Sequence, residues 1–154
     1  MNQTNLLNNN ANYSWNFLNY PIHTISANSD NSLKKIAILL IHGFGASTDH
    51  WRFNMPALSS KYEVHAIDLL GFGKSPKPND VDYSGSLWKE QTVSYVKEVI
   101  KKPTVIVGNS LGGYAALAAG AELNELSAGV VLLNAAGYFS EEKLVKKNML
   151  QTSI

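Results

Sequence analysis

The sequence predicts an α/β fold, a mostly parallel sheet flanked by helices, and three observations carry that expectation. Apolar runs bounded by glycine at 36–41, 64–69, 104–107 and 129–133 read as strands buried on both faces. Longer stretches at helical spacing separate them, as crossovers between parallel strands require. The length of 154 residues, with 45% hydrophobic and 16% charged side chains, matches one core rather than a disordered chain.

Taken in chain order, residues 1–34 are expected to form an Asn-rich arm, with ten Asn among the first 31 residues. Amide side chains such as Asn8, Asn9 and Asn10 compete with the backbone for hydrogen bonds and offer no apolar face, so 1–12 reads as disordered. Trp15, Phe17, Tyr20, Ile22 and Ile25 then fall among polar residues, which suggests one or two short antiparallel strands and a turn over 26–32. The first cation is Lys34, so the arm lacks the charge and apolar block of a secretory leader and the arginines of a transit peptide.

Residues 35–154 carry the α/β pattern. A first helix is expected over 49–59, with Pro56 as a break or restart. Over 84–101, Leu87, Gln91, Tyr95 and Val99 share one helical face, with Trp88 and Val96 beside it and Pro103 just beyond. Residues 111–123 read as a second helix, whose alanines and glycines let its axis approach the sheet. Another helix is expected over 141–150.

Composition excludes several functions. Thirteen Lys and Arg against twelve Asp and Glu give a net charge of +1, too little to hold nucleic acid or an anionic membrane by field alone. The absence of Cys removes a disulfide scaffold, a thiolate-bound zinc and a thiol nucleophile. His42 and His50 have only Asp49 as an acidic neighbour, below what a metal site needs, and no cofactor is expected. The longest apolar run is too short to cross a bilayer, and cytoplasm is the default location.

The segment Gly108-Asn109-Ser110-Leu111-Gly112 places a serine between two glycines at the junction of an expected strand and helix. That G-x-S-x-G spacing suits a sharp strand-to-helix turn, in which any Cβ at the glycines would collide with neighbouring backbone. The helix start then aims free N–H groups and its positive dipole end at the serine. Ser110 is the candidate nucleophile and the Leu111 N–H a donor to a developing oxyanion. A second donor is expected from the loop His42-Gly43-Phe44-Gly45, most naturally the Phe44 N–H, while His42 itself reads as a hydrogen-bonded brace rather than a base. Gly71-Phe72-Gly73-Lys74-Ser75 ends like a phosphate loop but has Asp68 where the first glycine belongs, and Pro76 and Pro78 oppose a helix at Lys74. Asp68 reads instead as a strand-end carboxylate that ties down the neighbouring loop, and Trp51 and Trp88 as packing residues.

With these motifs in order, together with His50-Trp51-Arg52, 66–75 and 132–137, the chain resembles the α/β-hydrolases that carry an HG-x oxyanion loop. The resemblance covers 36 to about 140. It implies the amino-terminal part of that fold, with 35–154 forming an incomplete α/β-hydrolase domain. It also implies hydrolysis of a carboxylic ester through an acyl-serine. The wording is most similar to cyanobacterial and plastid members that include enzymes cleaving the phytyl ester of chlorophyll or pheophytin, so a hydrophobic small-molecule ester is implied, and association with a membrane is left open.

That family orders its triad as nucleophile, acid, histidine. Here His23, His42, His50 and His65 all precede Ser110. The carboxylates after it, Glu122, Glu125, Glu141 and Glu142, have no later histidine to orient. The expectation is therefore a truncated hydrolase, weak or inactive alone, that needs the carboxy-terminal half for its acid and base. The alternative is a non-catalytic binding or interaction protein on a degenerate hydrolase scaffold.

Overall fold

Alternating strands and helices build one five-stranded sheet with helices on both faces. The computed structural model describes residues 15–27 and 35–136. Strands β1 (Trp15–Phe17) and β2 (Tyr20–Ile22) form a hairpin, and β3 (Thr24–Ala27) follows directly. Strand β4 (Ala37–Ile41) is buried at every position. A 3-10 turn (Thr48–Trp51) and helix α1 (Asn54–Ser59) then lead to β5 (Glu63–Ile67). Helix α2 (Gly85–Tyr95) continues as a π turn (Val96–Ile100) into β6 (Thr104–Asn109), followed by α3 (Leu111–Glu122) and β7 (Ser127–Leu133).

The sheet order is β3-β5-β4-β6-β7, with β3 antiparallel to β5 and the other pairs parallel. After β4 the chain moves one way to β5, and after β5 it crosses back to β6. The ends of β4 and β6 therefore lie side by side, with Ile41 level with Gly108. Their exit loops flank the point where strand order reverses, the place where open α/β sheets put ligands. Helices α2 and α3 share the larger core with Leu39, Ile41, Ile67 and Ile106. On the opposite face Trp51 and Met55 pack against Ile38, Leu40, Val64 and Ala66.

Several boundaries differ from the sequence reading. Three strands form where one or two were expected, and β3 joins the main sheet, with Thr24 opposite Ile67. The hairpin turns on Leu18 and Asn19, both with positive φ (51° and 66°), and Trp15 anchors it by donating to Glu98 (2.8 Å) and packing edge-on against Tyr95. The first helix is interrupted at Arg52–Phe53 rather than at Pro56. Pro56 instead sits in the first turn of α1, where an N–H would have no intrahelical partner. The long helix over 84–101 widens to a π turn before Lys101 ends it in the left-handed region, φ 56°. Strand β5 stops at Ile67, so Asp68 and Leu69 already belong to the following turn. The arm at 1–12, most of the 26–32 turn and the 141–150 helix lie outside the described residues.

Candidate functional site

Ser110 caps α3 with φ 51° and ψ −114°, a conformation that costs about 1–3 kcal/mol and persists only when its surroundings impose it. The surroundings are hydrogen bonds. The Ser110 N–H donates to the Leu133 carbonyl (3.1 Å), and the Ser110 carbonyl accepts from the N–H groups of Gly113 (2.9 Å) and Ala136 (2.9 Å). Strand β7 and the residues after it thus clamp the turn. Glycine is required on both sides: a Cβ at Gly108 would strike the Gly112 backbone, and one at Gly112 the carbonyls of Ile41 and His42. Ser110 is partly exposed, and its hydroxyl makes no hydrogen bond among the described residues.

The loop after β4 meets this turn directly, since a Cβ on Gly43 would lie 3.2 Å from the Ser110 Cβ and 2.9 Å from Asn109 Oδ1. Gly43 and the next residue, Phe44, thereby stand beside Ser110. Among the described residues the Phe44 N–H donates no hydrogen bond. Leu111 opens α3, so its N–H has no intrahelical acceptor. The Phe44 ring is 78% exposed and packs edge-on against Phe72 at 5.3 Å, while Phe72 lies edge-on to His42 and tilted against Trp88. An aromatic wall therefore borders the turn on one side.

His42 is fully buried and both its ring nitrogens are engaged by main chain. Nε2 accepts from the Leu69 N–H (3.0 Å), which leaves the proton on Nδ1 to be donated to the Gly43 carbonyl (2.7 Å). Burial holds its pKa below the ordinary value, against the smaller opposing effect of the Gly43 carbonyl. Such a ring orients the loop and has no nitrogen left for Ser110. Asp68, also fully buried, accepts from the N–H groups of Thr48 (2.6 Å) and Lys74 (2.7 Å), tying together the loops after β4 and β5. Lys74 is exposed and starts no helix.

His65 is buried between Tyr95 (3.1 Å) and Glu63 (2.8 Å), and His50 is exposed against Trp51. Glu122 pairs with Lys89 (2.8 Å) at the far end of α3, while Glu141 and Glu142 lie outside the described residues. Among the described residues no three His, Asp or Glu side chains cluster as metal ligands, and no helix is long and apolar enough to cross a membrane.

Sequence reasoning missed the residues that hold the site from behind. Gln91 bridges the loop after β5, accepting from the Leu70 N–H (2.9 Å) and donating to the Asp68 carbonyl (3.2 Å). Ser75 donates to the same carbonyl (2.8 Å) and accepts from the His23 N–H (3.1 Å). The one available signal was a glutamine on an otherwise apolar helix stripe.

A strand, a strained serine and a Gly-rich helix start at the sheet's reversal point define a hydrolase-type turn. The chain belongs to the alpha/beta hydrolase family, whose model matches residues 38–151. Chloroplastic pheophytinase of Arabidopsis thaliana is 33% identical over 77% of this chain and 30% of its own length. The 2-hydroxymuconate semialdehyde hydrolase of Pseudomonas sp. strain CF600 is 34% identical over 73% of this chain and 41% of its own. Among solved structures, a serine hydrolase involved in carbazole degradation superposes with a TM-score of 0.73 at 31% identity, covering 90% of this chain and 56% of that one. The chain thus spans well under half the length of these two curated relatives.

Proposed function

We propose that this chain carries the nucleophile half of a serine hydrolase that cleaves carboxylic esters. The observation that carries the reading is the positive-φ turn at Ser110, with a hydroxyl unpartnered among the described residues beside Gly43. Ser110 Oγ attacks the ester carbonyl, and the N–H groups of Phe44 and Leu111 hold the oxygen that becomes negative. Collapse expels the alcohol and leaves an acyl-serine; water then releases the acid and restores the hydroxyl. The proton leaving Oγ passes to a base and on to the departing alkoxide. With no histidine after His65 in the sequence, that base and its acid partner come from polypeptide beyond these 154 residues. The wall of Phe44 and Phe72 favours a hydrophobic acyl or alkoxy group. Cytoplasm remains the proposed location.

Loss of the triad histidine costs around a million-fold in turnover, so the chain alone is expected to be nearly silent. A small external base should replace the absent ring. Turnover of a short p-nitrophenyl ester should rise linearly with added imidazole above the solution rate, and Ser110→Ala should remove that increment. An increment equal in both proteins would sink the reading. Because His42 has both ring nitrogens engaged by main chain and His65 is held between Tyr95 and Glu63, a second reading has support: a non-catalytic binding protein on a hydrolase scaffold, which the same assay would favour if no increment appears.

A further inference from the structure

Strands β5, β4 and β6 enter the sheet level with one another, with Glu63 and Thr104 both opposite Ala37. The chain just ahead of each entry carries the same pair, a lysine and then an apolar residue: Lys61-Tyr62, Lys35-Ile36 and Lys102-Pro103. The Ala37 N–H donates to the Pro103 carbonyl (3.0 Å), so β4 and β6 stay together at this end. Neighbouring strands lie about 4.8 Å apart, and the three pairs therefore form two short rows across the end of the sheet, one basic and one apolar. Lys35, Lys61 and Pro103 are exposed, and Ile36 and Tyr62 are 42% and 43% exposed. Lys101, exposed and held at φ 56°, extends the basic row beside Lys102.

The carboxylates at this end do not neutralise that row. Glu63 is buried and occupied by His65 (2.8 Å) and Lys102 (2.7 Å), and Glu98 accepts from the Trp15 indole. Lys35, Lys61 and Lys101 form no ion pair among the described residues. Glu125, ahead of β7, enters one strand beyond Lys102. The chemistry of the row chooses among anionic partners. Arginine forks, which grip carboxylates and phosphopeptides, are absent here: the single arginine, Arg52, follows the opposite end of β4. Compact ammonium groups backed by Ile36 and Tyr62 suit lipid headgroups instead. Tyrosine sits at the boundary between headgroup and hydrocarbon, and lysine stems lie along it with the charge at phosphate.

We infer that the strand-entry end of the sheet, through Lys35, Lys61 and Lys101 with Ile36 and Tyr62, is a docking surface for an anionic lipid bilayer. The net charge of +1 hides it, because the acidic residues that balance the total are engaged or lie elsewhere. Phe44 and Ser110 follow the other ends of the same strands, so a docked chain turns them away from the lipid and toward water.

Cosedimentation of the monomeric chain with vesicles tests this. At 0.1 M salt, vesicles of phosphatidylcholine with 30% phosphatidylserine should bind about a hundredfold more tightly than phosphatidylcholine alone, and 0.5 M salt should remove the difference. Lys35→Gln with Lys61→Gln should weaken that binding about twentyfold. Lys74→Gln with Lys77→Gln, an equal loss of charge at the other end of the strands, should leave it within about twofold. Tyr62→Ser should weaken it about threefold with the salt dependence unchanged. Brominated lipid should quench the added indole of Tyr62→Trp and spare that of Phe44→Trp. Ser110→Ala should bind as the parent does, so the outcome is independent of the nucleophile. Equal binding to neutral vesicles, equal losses in the two lysine pairs, or a Tyr62→Ser chain that binds like the parent would overturn the inference. Quenching at 44 in place of 62 would do so too, and retention on polyglutamate without vesicle binding would assign the row to an acidic protein instead.

Discussion

Ser110 holds a strained backbone because main-chain partners from α3, β7 and the residues after it close around it, with no hydrogen bond from its own side chain among the described residues. Ser110→Gly, which removes the Cβ that makes φ 51° costly, should therefore stabilise the fold by about 1 kcal/mol in urea unfolding. A loss of stability would mean that the hydroxyl has a structural partner. His42 makes a second prediction at this scale. Buried as a neutral ring, it resists the proton that the unfolded chain accepts below its ordinary pKa near 6.5. Its stabilisation is thus complete above that pH and is lost as pH falls toward the depressed folded value. Burial raises the Glu63 carboxyl, but hydrogen bonds from His65 and Lys102 outweigh it and hold the pKa below 4.5; its contribution fails only at lower pH. The melting temperature should fall from about pH 7 to 5, and His42→Gln should flatten that slope. An unchanged slope in the variant would place the titration elsewhere. Ser110, Gly108 and Gly112 were legible because one short window sets their chemistry. Gln91 and Ser75 were not, since their partners come from distant segments and no local pattern names a side chain that braces a loop from behind.

Elements were legible where burial repeats with a fixed period. The four runs read as buried strands all form strands, although β7, at the sheet edge, is fully buried at no position, and Ser84 marks the start of α2, its hydroxyl accepting from the Leu87 N–H (3.3 Å). Ser84→Ala should cost about 1 kcal/mol of stability in a urea melt; no change would show that packing of Leu87 and Trp88 alone fixes that end. The misplaced boundaries share a cause, because each depends on contacts outside its own window. Strand β3 is short and mixed in polarity, and it exists because β5 offers it an edge. The break before α1 falls at Arg52–Phe53, between Trp51, which the 3-10 turn sets into the core, and Phe53, which stays 76% exposed. The π turn after Tyr95 adds room before Lys101, a geometry that Leu87, Gln91, Tyr95 and Val99 do not announce.

For the molecule as a whole, the sheet's strand order makes the site, since only the reversal between β4 and β6 brings Gly43 against Ser110. That order was accessible through the resemblance of ordered motifs rather than through any single segment. Of a general base the sequence offers only an order, with all four histidines preceding the serine. The account stands on one claim: the turn at 110 presents an attacking hydroxyl to main-chain donors. Treating the folded chain with a fluorophosphonate in the presence of imidazole and mapping the adduct by mass spectrometry tests it most directly. The predicted result is a single phosphonyl group on Ser110, absent from Ser110→Ala and from urea-unfolded chain. Modification spread over other serines, or equal in the folded and unfolded protein, would contradict it.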